Sequence, residues 1–272
     1  MGDDRPIGVF DSGVGGLTVL NALTGVLPEE NFLYLGDTAR LPYGAKTADT
    51  VRRYSAQCAA RLVERNVKAL VVACNTASAV ALDVLAGALA PLPVIGVLEP
   101  GADAAVAASA SGAIAVLATE GTIRGGAYER AIRRRRPASR VTSIACPLFV
   151  ALAEEGLVAG PIVSAVIERY LAPLRASDVD TVLLGCTHFP LLAAAIGEVL
   201  GPAYQLVDSA ATTATAVAER LGRLGLLRAP GSGAARTHFL ATDGAERFAR
   251  VGSLFYRREL PAGDVELVEL SA

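Results

Sequence analysis

Eight short apolar runs alternate with longer stretches of helical periodicity, and this alternation constrains the fold more than any other feature of the chain. The runs read IGVF (7–10), NFLYL (31–35), ALVVA (69–73), PVIGV (93–97), AIAVLA (113–118), VTSIA (141–145), TVLLG (181–185) and YQLV (204–207). Runs without a polar alternation belong to strands buried on both faces, which is the condition of a parallel sheet covered by helices. Parallel neighbours need long crossover connections, and the intervening stretches have the length and period of helices. The clearest spans 47–66, where Val51, Tyr54, Cys58 and Leu62 share one face and Arg52, Arg53, Glu64 and Arg65 lie mostly on the other. Cys58 therefore reads as a core residue.

The runs fall into two sets of four, and the third run of each set delivers a cysteine. VVACNTAS (71–78) carries Cys74, and VLLGCTHF (182–189) carries Cys186. The cysteines are 112 residues apart, and the first runs of the two sets begin 106 apart. The expected fold is α/β, with two pseudosymmetric open parallel-sheet domains and the active site in the cleft between them. Residues 1–98 with 209–272 are expected to form the domain carrying Cys74, and 99–208 the domain carrying Cys186. The tail holds a helix over 211–224 and two further strands near 237–242 and 265–270. It belongs to neither repeat and is expected to pack back on the first half.

Bulk properties narrow the function. The 272 residues are 52% hydrophobic with mean hydropathy +0.43, enough for a large core. A net charge of −2 and a pI near 5.8 give no general affinity for nucleic acid or anionic membrane. No apolar stretch reaches the ~18 residues of a membrane span. The opening MGDDRP has two acids and no apolar core, so it does not read as a secretory signal. The expectation is a cytoplasmic protein whose four cysteines are reduced.

In an open parallel sheet, ligands bind beyond the carboxyl ends of the strands. Those ends carry Asp11-Ser12, Gly36-Asp37, Cys74-Asn75-Thr76, Thr119-Glu120, Cys146-Pro147 and Cys186-Thr187-His188. Two facing halves would place one thiol on each wall of a shared cleft. Two opposed thiols suit the inversion of a carbon that bears a hydrogen: one removes the proton, and the other returns a proton to the opposite face. A helix N-terminus favours a thiolate and binds a carboxylate through its free N–H groups. Short Asn, Thr and Ser side chains beside each cysteine are fit to hold an anionic substrate there.

Taken together, GVFDSGVGGL (8–17), GDTARLPYG (36–44), ACNTAS (73–78), TEGT (119–122), ACPLFVALAEEG (145–156) and GCTHFPLL (185–192) resemble the glutamate racemases of the cofactor-independent aspartate/glutamate racemase group. The resemblance implies that Cys74 and Cys186 are the acid–base pair, Cys74 serving the D-enantiomer and Cys186 the L-enantiomer. It implies Asp11 beside Cys74, and Glu154 and His188 on the Cys186 side. Substrate contacts would come from Asp11, Ser12, Tyr43, Gly44, Asn75, Thr76, Thr187 and His188, with Thr119 and Thr122 on the α-carboxylate. It further implies glutamate as the small-molecule substrate, no cofactor, supply of D-glutamate for peptidoglycan and hence cell shape, and a homodimer of undetermined arrangement.

Other readings find less support. Gly13, Gly15 and Gly16 suggest a dinucleotide loop, but Thr18 stands where the last glycine is needed. The two lysines, Lys46 and Lys68, are poorly placed for a pyridoxal Schiff base. Metal-ligand spacing is absent, so no metal is expected. The arginine run 133–136 reads as a solvated helix end, and Cys146 and His238 as packing residues. Asp37 reads equally as a cap before the Pro42-Tyr43-Gly44 turn and as a functional acid. Tyr128, away from the strand ends, is expected to matter little. A racemase for another acidic amino acid such as aspartate, or a non-catalytic two-domain binding protein, is the alternative.

Overall fold

The computed structural model describes residues 2–270; Met1, Ser271 and Ala272, at the limits of the expected first domain, lie outside the described residues. Among the described residues, ten strands form two sheets. In chain order they are β1 (Ile7–Asp11), β2 (Phe32–Gly36), β3 (Ala69–Val72), β4 (Val94–Gly96), β5 (Ala113–Ala118), β6 (Arg140–Ala145), β7 (Thr181–Gly185), β8 (Gln205–Asp208), β9 (Thr237–Ala241) and β10 (Val265–Leu267). The first sheet has the order β10-β9-β2-β1-β3-β4 and the second β6-β5-β7-β8. Every pairing is parallel.

The repeat read from the sequence is a repeat of topology. The order β2-β1-β3-β4 is reproduced as β6-β5-β7-β8. In both, the chain leaves the first strand to one side and returns on the other, which opens a crevice at the carboxyl ends of the two central strands. Those strands are β1 and β3 in one sheet, β5 and β7 in the other. All four are buried along their length, whereas the edge strand β6 exposes Arg140 and Ser143. Successive residues enter opposite cores, as a two-residue period requires. Val9 and Val71 pack on one face of the first sheet, Phe10, Leu70 and Val72 on the other. Leu117 and Leu184 face one core of the second sheet, Val116 and Leu183 the other.

The tail completes the first sheet, since β9 pairs with β2 and β10 with β9. Helix Ser209–Leu224 starts earlier than expected because the Asp208 side chain caps it, accepting from Ala210 N–H at 2.8 Å. Helix Ala48–Glu64 is capped by Thr47 and buries Val51, Ser55, Cys58, Ala59 and Leu62, while Tyr54 stays half-buried. His238 is exposed, not the core histidine expected: it lies near the start of β9, ahead of the buried Phe239, Leu240 and Ala241. The arginines at the end of helix Ala127–Arg135 pair with Glu129, Glu99 and Asp103 at the surface. No described helix is long and apolar enough to cross a membrane.

Candidate active site

The strand ends of the two halves meet. On the first wall, β1 ends in Asp11, which is fully buried and accepts from the Gly13 N–H at 3.0 Å. The glycine-rich turn after it serves close approach. A Cβ on Gly15 would fall 2.5 Å from His188 Nδ1 and 2.5 Å from Thr187 Oγ1 of the opposite half. β3 ends two residues before Cys74, whose backbone caps helix Asn75–Ala88. Burial, followed by the charge of Asp11, pushes the Cys74 thiol up to about 12, while the Ala77 N–H and the Ser12 hydroxyl pull it down. Asp11 itself is raised by burial, against the opposing charge of His188 and the amides of Gly16, Gly13 and Ser12.

On the second wall, Cys186 follows β7 and is 6% exposed, comparable to the 5% of Cys74. The helix start expected at Cys186 is absent. A 3-10 turn, Phe189–Leu192, comes first, and the α-helix begins at Ala193. The Cys186 sulfur instead has His188 Nδ1 at 3.8 Å. His188 Nε2 lies 3.1 Å from Glu154 Oε1, and Arg247 donates to Glu154 Oε2 at 2.9 Å. Burial works against a charged His188, but its hydrogen bonds to Cys186 and Glu154 raise it to about 10. The bond to His188 is the main cause that draws Glu154 down to about 2, with Arg247 assisting and burial opposing. The Phe255 ring stands edge-on to the imidazole at 5.0 Å. Both Arg247 and Phe255 come from the tail helix Ala245–Tyr256.

Hydroxyls join the walls. Thr76 Oγ1 lies 3.0 Å from Thr119 Oγ1 and 3.0 Å from Thr122 Oγ1, which are 3.1 Å apart. Thr187 Oγ1 donates to Asp11 Oδ1 at 3.5 Å and lies 3.4 Å from His188 Nδ1. Thr18 Oγ1 donates to the Thr187 carbonyl at 3.0 Å. Gly44 meets Thr119 so closely that a Cβ would lie 2.5 Å from the Thr119 Cβ. The loop carrying Gly44 is anchored by Asp37, fully buried, which accepts from Arg40 Nε at 2.8 Å, from Thr242 Oγ1 at 3.0 Å and from the Tyr43 hydroxyl. With its hydroxyl on Asp37, Tyr43 has only its backbone left to meet a ligand. Cys58 packs against that hydroxyl at 3.7 Å and is fully buried, as is Cys146. A pocket of about 260 Å³ opens beside the site, with Pro42, Gly44, Thr119, Val150 and Glu154 in its lining.

Asp11, Ser12, Gly44, Cys74, Asn75, Thr76, Thr119, Thr122, Glu154, Cys186, Thr187 and His188 are thus gathered around the meeting strand ends. Sequence reasoning missed Thr18, Arg247 and Phe255. It also placed Tyr128 apart from the site, whereas its hydroxyl donates to Asn75 Oδ1. Nothing local marks Arg247, whose partner is 93 residues away. Among the described residues, no group of three or more His, Cys, Asp or Glu could hold a metal ion.

Comparison with known proteins places this geometry in context. The glutamate racemase of Geobacter metallireducens is 51% identical over 268 residues, covering 98% of each chain. The crystal structure of glutamate racemase from Francisella tularensis in complex with D-glutamate superposes with a TM-score of 0.91 at 36% identity, covering 98% of each chain. That of the Thermus thermophilus enzyme in complex with β-chloro-D-alanine gives 0.88 at 44% identity, covering 99% of each. The profile of the Asp/Glu/Hydantoin racemase family matches residues 18–217, most of the length. The chain belongs to the Asp/Glu/Hydantoin racemase family.

Proposed function

We propose that this protein interconverts L- and D-glutamate by a cofactor-independent exchange of the Cα proton between Cys74 and Cys186. The observation that carries the reading is the placement of two nearly buried thiols at the strand ends of two topologically repeated sheets, with threonines next in sequence or joined across the two halves. The full-length similarity to glutamate racemases supports glutamate as the substrate. In this reading residues 1–98 with 209–272 act as the domain of Cys74, and 99–208 as the domain of Cys186. The setting is the cytoplasm, the product D-glutamate feeds peptidoglycan synthesis, and the assembly is a homodimer, which sedimentation would measure.

The chemistry follows from charge placement. With L-glutamate bound, the Cys186 thiolate takes the Cα proton, and the electron pair passes into the α-carboxylate. The Cys74 thiol then gives its proton to the opposite face, leaving Cys186 as thiol and Cys74 as thiolate. The reverse direction exchanges the two roles. A thiol held near 12 keeps its proton until the carbanion needs it, and its thiolate is a correspondingly strong base. Asp11 stands by Cys74 as proton acceptor and donor between turnovers. His188, positively charged and held by Glu154, compensates the charge of Cys186 across 3.8 Å. Thr76, Thr119 and Thr122 turn their hydroxyls to the α-carboxylate as it gains charge. Ser12, Gly44, Asn75, Thr187 and the Tyr43 backbone complete the contacts.

The test is incubation of the purified protein with L-glutamate, without added cofactor, followed by chiral chromatography. D-glutamate should accumulate to an equal mixture, while L-aspartate run in parallel should be turned over far more slowly. Failure to form D-glutamate from an active, folded preparation refutes the proposal, and faster turnover of L-aspartate moves it to the other acidic amino acid.

A further inference from the structure

Tyr128 lies on helix Ala127–Arg135 and is 2% exposed. Its ring packs in the second half's core with Leu98, Ile114, Val116 and Leu183. One edge runs past Gly185, the residue before Cys186, so closely that a Cβ there would fall 2.9 Å from Tyr128 Cε2. The hydroxyl crosses to the other half and donates to Oδ1 of Asn75, the residue after Cys74. A core side chain thus spans from the strand end of one thiol to the helix start of the other.

The far end of the Asn75 amide is the second observation. Asn75 is 3% exposed, and its Nδ2 is buried without a hydrogen-bond partner. An orphaned buried amide nitrogen carries a desolvation cost unless a ligand supplies an acceptor. It offers two N–H donors and nothing else. With Oδ1 occupied by the tyrosine, the amide presents donors, which suits a carboxylate. Reversed, it would present an oxygen and repel one.

We infer that Tyr128 is a positioning residue for substrate capture: its hydroxyl fixes the Asn75 amide so that Nδ2 donates to a carboxylate of the bound amino acid. The inference rests on the proposed reading of Asn75 as a substrate contact. It reverses the sequence-based expectation that Tyr128 matters little, which saw a tyrosine outside the strand ends and no partner for it.

The test compares wild type, Tyr128→Phe, Asn75→Ala and the double variant. Phenylalanine keeps the ring and removes only the hydroxyl. Tyr128→Phe should raise KM for both glutamate enantiomers about tenfold while kcat stays within about twofold, as expected for loss of uniform binding. In the Asn75→Ala background the same change should add less than about twofold, because its route of action is gone. A merely structural role would lower kcat and add fully in both backgrounds, and that result overturns the inference. A ligand-free readout keeps the two readings separate. The chain has four asparagines, so labelling their side-chain amides with ¹⁵N gives four resolvable pairs. Tyr128→Phe should shift the Asn75 pair, identified by its absence in Asn75→Ala, and leave those of Asn21, Asn31 and Asn66 in place. An unmoved Asn75 pair overturns the positioning role whatever the substrate. A wild type inactive on glutamate would instead refute the proposed function and leave the amide spectrum to decide the role of Tyr128.

Discussion

Replacing Thr76 by valine separates binding from stability, because the hydroxyl cluster it belongs to remains partly paired without it. Valine keeps the shape and removes one hydroxyl. Thr119 and Thr122 still face each other at 3.1 Å, so no buried hydroxyl is orphaned. The fold should therefore lose about 1 kcal/mol or less, the net value of one neutral hydrogen bond. For a chain of this size that is a fall in Tm of about 2–4 °C. Substrate binding should lose more. A hydrogen bond to a carboxylate contributes about 1.5–3 kcal/mol, which is about 10- to 150-fold in KM. Thr76→Ser, which retains the hydroxyl, should keep most of the affinity. The assay is a Michaelis–Menten series in both directions beside a thermal melt of each variant. A KM within twofold of wild type, with the whole effect in Tm, would show that the three threonines only tie the halves together.

Other perturbations follow from the same site. Glu154→Gln removes the charge that helps raise His188, so the alkaline limb of the kcat/KM profile should move to lower pH; an unmoved limb would detach Glu154 from His188. The sign of the stability effect is fixed by linkage: a histidine raised from 6.5 to about 10 contributes fully below pH 6.5 and loses that contribution as pH rises through 10. The urea midpoints of wild type and Glu154→Gln should accordingly differ most near pH 6 and converge toward pH 10. Asp37→Asn weakens a buried carboxylate that serves Arg40, Tyr43 and Thr242, and should cost about 2–3 kcal/mol of stability by urea titration, with a higher KM because the Gly44 loop loosens. Activity should survive dialysis against a chelator; loss restored by zinc would point to metal chemistry.

Much of the architecture was legible because buried parallel strands leave uninterrupted apolar runs, as β1, β3, β5 and β7 do. The exposed edge strand β6 was found because VTSIA still has strand-forming residues, although its side chains are largely solvated. The tail strands were visible, but which sheet edge they join was readable only as an expectation. That the two thiols and their polar neighbours gather at the strand ends was legible because an apolar run that breaks into polar residues marks where a buried strand stops. What escaped was everything set by distant packing. Arg247 reaches Glu154, and Phe255 reaches His188, from a tail helix whose period shows only an apolar face. Tyr128 meets Asn75 through a hydrogen bond spanning 53 residues of sequence. The partners of the Tyr43 hydroxyl, Asp37 and Cys58, escaped as well, since they depend on how the loop folds back. His238 lies exposed at the start of β9, before the strand enters the core at Phe239, and composition alone does not reveal where that entry falls.

The two-thiol claim is tested most directly by hydrogen exchange at Cα in heavy water, with wild type, Cys74→Ala, Cys186→Ala and Cys58→Ala compared in each direction. Wild type should place deuterium at Cα of the product enantiomer early in the time course, because the proton returned comes from a thiol equilibrated with solvent. Cys58→Ala should behave like wild type, since Cys58 lies in the core behind Tyr43. Cys74→Ala should form no D-glutamate from the L-enantiomer, and Cys186→Ala no L-glutamate from the D-enantiomer, since each lacks the proton donor or acceptor on one face. Racemisation of L-glutamate by Cys74→Ala at close to the wild-type rate would contradict the account and leave Cys186 with His188 as a single catalytic base.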